Sequence, residues 1–173
     1  GVITKCPPEL KLFEKEFAAL RKIKKSLNSQ QDLSVDVKWQ PSDWFGPTTW
    51  LRIKMDVYYD NLKKFTRKII DYKTGKIYPE NQEQLELYAV GGLAFASPAI
   101  QTFETELWYL DQGHIEPRNF ARSEAEALKP VWEKRVKKML ADTTFKPTPG
   151  DACRWCFFGQ SGKAKGGPGT CKF

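Results

Sequence analysis

The sequence predicts an α/β fold, a central mixed β-sheet flanked by helices, and three observations carry it. Two strand-like runs within residues 50–73 are separated by a short polar turn, and so pair antiparallel. A helix-like run over residues 79–95 lies between the second of these strands and another strand at 101–110, the arrangement of a parallel crossover. An amphipathic run at residues 9–27 places a further helix ahead of the sheet.

The first helix rests on an apolar stripe of Leu10, Phe13, Phe17, Leu20 and Leu27, with Pro7 and Pro8 placed where they do not disturb its first turn. Residues 28–32 read as a polar break, residues 33–39 as a strand, and 41–49 as a loop. Trp44 and Phe45 in that loop suit either closure over a core edge or stacking on unpaired bases. Leu51, Ile53, Met55 and Val57 alternate with polar residues and read as one face of a strand, with Asp56 on the other. Asp60-Asn61-Leu62-Lys63 is the turn, residues 65–73 are the partner strand, and Thr74-Gly75 ends it. The Ala- and Gly-rich end of the next helix predicts close packing on the sheet. Asp111-Gln112-Gly113 is a turn, and residues 114–120 form a short edge strand limited by Pro117. Ser123-Glu124-Ala125-Glu126 matches a capping box for a last helix toward Leu140, which Pro130 interrupts or kinks.

A chain of 173 residues suffices for one domain with a substantial core, and residues 1–173 are read as one domain. No apolar run reaches the length of a membrane span and no secretory pattern is present, so an intracellular, cytoplasmic protein without a membrane partner is expected. The formal charge of +7 suits a polyanionic partner. Its basic clusters, Arg21-Lys22-x-Lys24-Lys25 and Lys134-Arg135-x-Lys137-Lys138, suit either phosphate contact or the solvated side of a helix. His114, the single histidine, has no Cys or His at ligand spacing and reads as a surface residue beside a turn.

The chemistry concentrates on the hairpin. Asp71 and Lys73 are two residues apart and share a face, and antiparallel pairing brings Asp56 toward them. Two carboxylates and an ammonium at a strand end suit a magnesium site for phosphodiester hydrolysis; Asp71 at a turn and Lys73 as a solvated residue is the plainer alternative. Gln84 and Tyr88, four apart on the following helix, could present an amide and a phenol beside that site.

Asp56, then Ile69-Ile70-Asp71-Tyr72-Lys73-Thr74-Gly75, then Gln84-x-x-x-Tyr88, resembles the RecB-type branch of the PD-(D/E)XK nuclease superfamily. The resemblance implies a restriction-endonuclease-like core, metal binding by Asp56 and Asp71, a catalytic Lys73, and Gln84 and Tyr88 at the DNA-binding active site. It also implies a third ligand, an acidic residue or a histidine, on a helix ahead of the first strand; the single histidine, His114, falls after the core motifs, so an acidic residue would take that place. Glu16 is the candidate, with Asp36 a weaker rival, and the carbonyl of Tyr72 is a further ligand to Mg2+ or Mn2+.

Cys153-Arg154-Trp155-Cys156, Cys171 and the distant Cys6 could together hold a [4Fe-4S] cluster or a zinc ion; free thiols or disulfides are the alternatives. One cysteine before the core and three after it is similar to the iron-sulfur RecB-type nucleases, among them AddB-like recombination enzymes and CRISPR-adaptation nucleases. That resemblance implies a structural cluster joining the termini, through segments 1–8 and 150–173. The function expected is a metal-dependent DNA exonuclease on single strands or duplex ends, of bacterial, phage or mobile-element origin, with recombination or repair proteins as partners. The alternatives are an endonuclease and a noncatalytic DNA-binding or structural module.

Overall fold

In a computed structural model that describes residues 6–163 and 165–172, the chain forms five strands in the order β1-β2-β3-β4-β5. They are β1 (Leu27–Val35), β2 (Leu51–Asn61), β3 (Thr66–Lys73), β4 (Thr102–Tyr109) and β5 (His114–Ala121). β1–β2, β2–β3 and β4–β5 pair antiparallel, while β3 and β4 run parallel in register from Thr66 opposite Thr102 to Lys73 opposite Tyr109. The predicted mixed sheet is therefore present, and its crossover is helix α2 (Asn81–Ala94). The chain divides into two compact units, Gly1–Lys134 and Arg135–Phe173.

Residues predicted as one N-terminal helix form three pieces: a 3-10 turn (Pro8–Phe13), helix α1 (Glu14–Lys22) and a second 3-10 turn (Lys24–Ser26). Tertiary packing overrides the continuous stripe at Phe13, which is buried and stacks on Trp108 with ring centres 5.3 Å apart. Phe13 and the half-buried Phe17 and Leu20 cover one sheet face, against Val57, Ile70 and Trp108. On the opposite face Leu85, Tyr88, Ala89 and Leu93 of α2 pack on Ile53, Met55, Ile69, Phe103 and Leu107. The close approach expected at the glycine pair is real. A Cβ at Gly91 would lie 2.2 Å from Ile53 Cδ1, and one at Gly92 would lie 2.7 Å from Ile69 Cδ1.

Several local expectations are corrected. The polar stretch 28–32 lies inside β1, where Gln30 adopts φ 50° and ladder pairing with Asp56 is interrupted. β1 ends at Val35; Asp36 Oδ1 accepts hydrogen bonds from the amides of Lys38 and Gln40, turning the chain before the predicted end of the strand. The interruption at Asp56 also breaks the alternation of β2, since Met55 packs under α2 but Val57 packs under α1. In the last helix, α3 (Arg122–Leu140), the cap sits upstream of the predicted box, with the Glu124 carboxylate accepting from the Ala121 amide at 2.6 Å. The helix continues through Pro130.

Asp60, expected in the turn, instead forms a two-pronged pair with Arg67 at 2.6 and 2.9 Å. Arg67 is buried, donates to the Gly92 carbonyl at 2.9 Å, and lies over the Tyr58 ring. Asp60→Ala is expected to cost about 2–3 kcal/mol, read as a lower urea midpoint. That is below the usual penalty for stripping a buried charge of its partner, because Asp60 keeps 27% of its side chain in water.

In the second unit, residues 150–163 and 165–172 close on themselves through hydrogen bonds. Cys153 Sγ accepts from Gly150 N at 3.4 Å, Cys171 N donates to the Phe158 carbonyl at 2.8 Å, and Gln160 Nε2 donates to the carbonyls of Gly169 and Cys171. All four cysteines are free, and among the described residues no group of three or more His, Cys, Asp or Glu side chains is placed to hold a metal ion. The expected cluster of Cys6, Cys153, Cys156 and Cys171 is thereby corrected. The fold is α/β with a mixed central sheet and without a cysteine-bound cluster; residues 1–5 of the expected cluster segment lie outside the described residues. No described helix is long and apolar enough to cross a membrane.

Candidate active site

The β2–β3 ladder ends at the pair Val57 and Ile70, while β3 continues beside β4 for three more residues. Past that point the Tyr72 amide has no strand partner on its β2 side. The carboxylate of Asp56 takes the place of one, with Oδ2 accepting from Tyr72 N at 2.8 Å. A side chain thus closes the fork between the strands, and the residues that flank Tyr72 on β3 are Asp71 and Lys73.

Asp71 is buried beneath α2. The Tyr88 hydroxyl donates to its Oδ1, and Gln84 Nε2 donates to the Tyr88 hydroxyl at 2.6 Å. Lys73 Nζ lies 2.6 Å from Asp71 Oδ2 without the angle of a hydrogen bond, so that contact is ionic. Asp56, Asp71, Lys73, Gln84 and Tyr88 are therefore drawn together from two strands and one helix. Helical spacing aligns Gln84 with Tyr88, and strand alternation aligns Asp71 with Lys73.

Two supports of this arrangement were invisible in the sequence. The Gly75 amide donates to Asp111 Oδ2 at 2.8 Å and Gln112 Nε2 donates to the Gly75 carbonyl, so the turn after β4 fixes the turn that follows Lys73. Asn81 Nδ2 donates to the Tyr109 hydroxyl at 2.9 Å, which ties the start of α2 to the end of β4. Both are contacts between segments distant in sequence, made by residue types common in any turn or cap. His114 is exposed and lies 3.2 Å from Glu116 Oε2, as a surface residue.

Burial, reinforced by the Asp56 charge, pushes the Tyr72 phenol up to about 12. Burial and the Asp71 carboxylate push Tyr88 further in the same direction. Both phenols stay protonated in the fold, and Tyr88 remains a donor to Asp71. An unfolded tyrosine releases its proton near pH 10. The stability from keeping these phenols neutral is thus complete below about pH 10 and is lost as pH rises toward the folded values. Urea midpoints should fall between about pH 10 and 12. The fall should be shallower in Tyr72→Phe.

A family profile described as the PD-(D/E)XK nuclease superfamily matches residues 9–161. The chain belongs to that superfamily. No curated protein matches its sequence. The narrower expectation, a RecB-type nuclease with a four-cysteine iron-sulfur cluster, is corrected to superfamily membership, because the cysteines do not assemble.

In this PD-(D/E)XK chain the metal expectations are corrected too. Glu16 does not join Asp56 and Asp71. It lines a separate hollow with Tyr59, Lys68, Glu106 and Trp108, where Lys68 and Glu106 pair at 2.7 Å. Asp36, its rival, is occupied in capping the turn after β1. The predicted Mg2+ or Mn2+ site of Asp56, Asp71, the Tyr72 carbonyl and Glu16 is thus not assembled among the described residues, nor is a zinc or iron-sulfur site. What the residues do assemble is a fixed carboxylate, a second carboxylate anchored through one oxygen, an ammonium and a neutral phenol.

Proposed function

We propose that the chain is a deoxyribonuclease that hydrolyses phosphodiester bonds, working as an exonuclease on single strands or duplex ends. The observation that carries this reading is the convergence of Asp56, Asp71 and Lys73 where β2 parts from β3, backed by Gln84 and Tyr88 from α2. Superfamily membership supports nuclease chemistry in general, and the +7 charge supports a polyanionic substrate.

In hydrolysis a water oxygen bonds to phosphorus while the bond to the leaving sugar oxygen breaks. Asp56 engages the protein through Oδ2, and its other oxygen takes the proton of the attacking water. The ammonium of Lys73, whose side chain is a quarter exposed, offsets the negative charge that grows on the phosphoryl oxygens. Tyr88 and Gln84 hold Asp71 in one orientation, and Asp71 in turn holds Lys73.

End-labelled single-stranded and duplex DNA, incubated with the wild type and with Lys73→Ala, tests the reading. Parallel reactions in chelator and in divalent salt score cleavage under either condition. Product from the wild type and its loss in the variant supports the nuclease, and the ladder of products gives its direction. Binding without product in every condition favours a noncatalytic DNA-binding module, the reading to which the displacement of Glu16 lends weight.

A further inference from the structure

A groove of about 630 Å³ opens on the α1 face of the first unit. It is lined by Asp56 and Tyr72 at the strand fork, by the half-buried Phe17 and Leu20, and by the exposed Arg21 and Lys24, which form its rim. A space of this size is of the order that holds a small organic ligand, roughly 300–1,000 Å³. Nothing in the mechanism above uses it beyond Asp56.

The surroundings of the groove are uneven in a telling way. Arg21 and Lys24 are exposed, and among the described residues neither forms an ion pair. Lys68 on the same sheet face is by contrast paired with Glu106. Phe17 and Tyr72 sit with ring centres 5.7 Å apart and are half-buried, so ring surface remains accessible beside the cations. Positive charge at the rim, aromatic and aliphatic surface beside it, and a carboxylate at the strand fork line one groove. The kink at Gln30, which also lines the groove, and the missing pair with Asp56 open the sheet at the required place.

We infer that this groove seats unpaired nucleotides of a DNA strand, with phosphates on Arg21 and Lys24 and a base against Phe17 and Tyr72, delivering the backbone toward Asp56. The inference rests on the nuclease reading only for what happens at Asp56. Duplex DNA presents phosphates but keeps its base faces stacked, so apolar surface beside a cationic rim selects a single strand.

Two measurements on the full chain test the groove without relying on turnover. The first is anisotropy of a labelled oligothymidylate across a salt series, with Lys73→Ala and with Lys73→Ala carrying Arg21→Gln and Lys24→Gln. Loss of two phosphate contacts is expected to weaken binding about tenfold at low salt and to reduce the slope of log affinity against log salt by about 1.4. Lys137→Gln with Lys138→Gln, on α3, serves as the comparison for a general loss of charge. The second is photocross-linking of an iodouracil-substituted oligonucleotide to Lys73→Ala, with adducts expected at Tyr72 or Phe17. Unchanged affinity and slope in the Arg21/Lys24 variant would overturn the inference. So would adducts confined to Trp44, Phe45 or the aromatics of residues 155–158. Weakened binding by a protein whose wild type cuts nothing would keep the groove and remove only the nuclease reading; cleavage with unaltered binding would do the reverse.

Discussion

Replacing Lys73 with alanine is expected to lower the rate of DNA cleavage about a hundred- to a thousandfold, the size of effect seen when one preorganised donor to a developing oxyanion is removed. Lys73 is suited to that role because its ammonium is held at a single place, 2.6 Å from Asp71 Oδ2, while part of the side chain still meets solvent. Removal also leaves Asp71 Oδ2 buried with no charge partner, at a stability cost of about 1–3 kcal/mol. A domain with roughly 5–15 kcal/mol of stability remains folded after such a loss. Activity and urea midpoint must therefore be measured together. A rate loss with a cooperative unfolding transition retained assigns Lys73 to the chemistry, whereas loss of the transition itself would reduce it to a structural ion pair. Lys73→Arg should restore stability better than rate, since a planar guanidinium can pair with Asp71 but does not present the compact charge of an ammonium.

The parts of this site that were legible in the sequence are those set by short-range periodicity. Asp71 and Lys73 share a strand face and Gln84 and Tyr88 share a helix face, and both relations are fixed by backbone geometry alone. The mixed sheet was legible for the same reason, because a hairpin followed by a helix and a further strand leaves few topologies. What escaped depends on contacts far apart in sequence. The polar residues around Gln30 look like a loop, yet β2 holds them in a strand and converts the local preference into a kink. Asp60 looks like a turn residue until Arg67 is seen buried against Gly92. Glu16 lies on the expected helix, but its side chain faces the region of Lys68 and Glu106, a direction that depends on how α1 crosses the sheet. Cysteine spacing suggested a cluster, whereas the tail closes through peptide and amide hydrogen bonds.

Asp71→Asn is expected to reduce cleavage by up to about a hundred- to a thousandfold, no more than the loss of Lys73 itself, because Asp71 acts through the ammonium it holds. The substitution keeps the shape of the side chain and an oxygen that can accept from Tyr88, so the packing beneath α2 should survive. What it removes is the charge that holds Lys73. The two single variants should consequently be far from additive. If Asp71 acts by positioning Lys73, then Lys73→Ala combined with Asp71→Asn should be little slower than Lys73→Ala alone, because the second change removes a constraint on a group already absent. Multiplied losses would mean instead that Asp71 acts on the phosphate or the water by itself. Tyr88→Phe refines the comparison. It removes the donor to Asp71 Oδ1 while leaving the charge pair intact, so its effect should be smaller than that of Asp71→Asn and should disappear in the Asp71→Asn background. A full effect of Tyr88→Phe in that background would place the phenol in direct contact with the substrate.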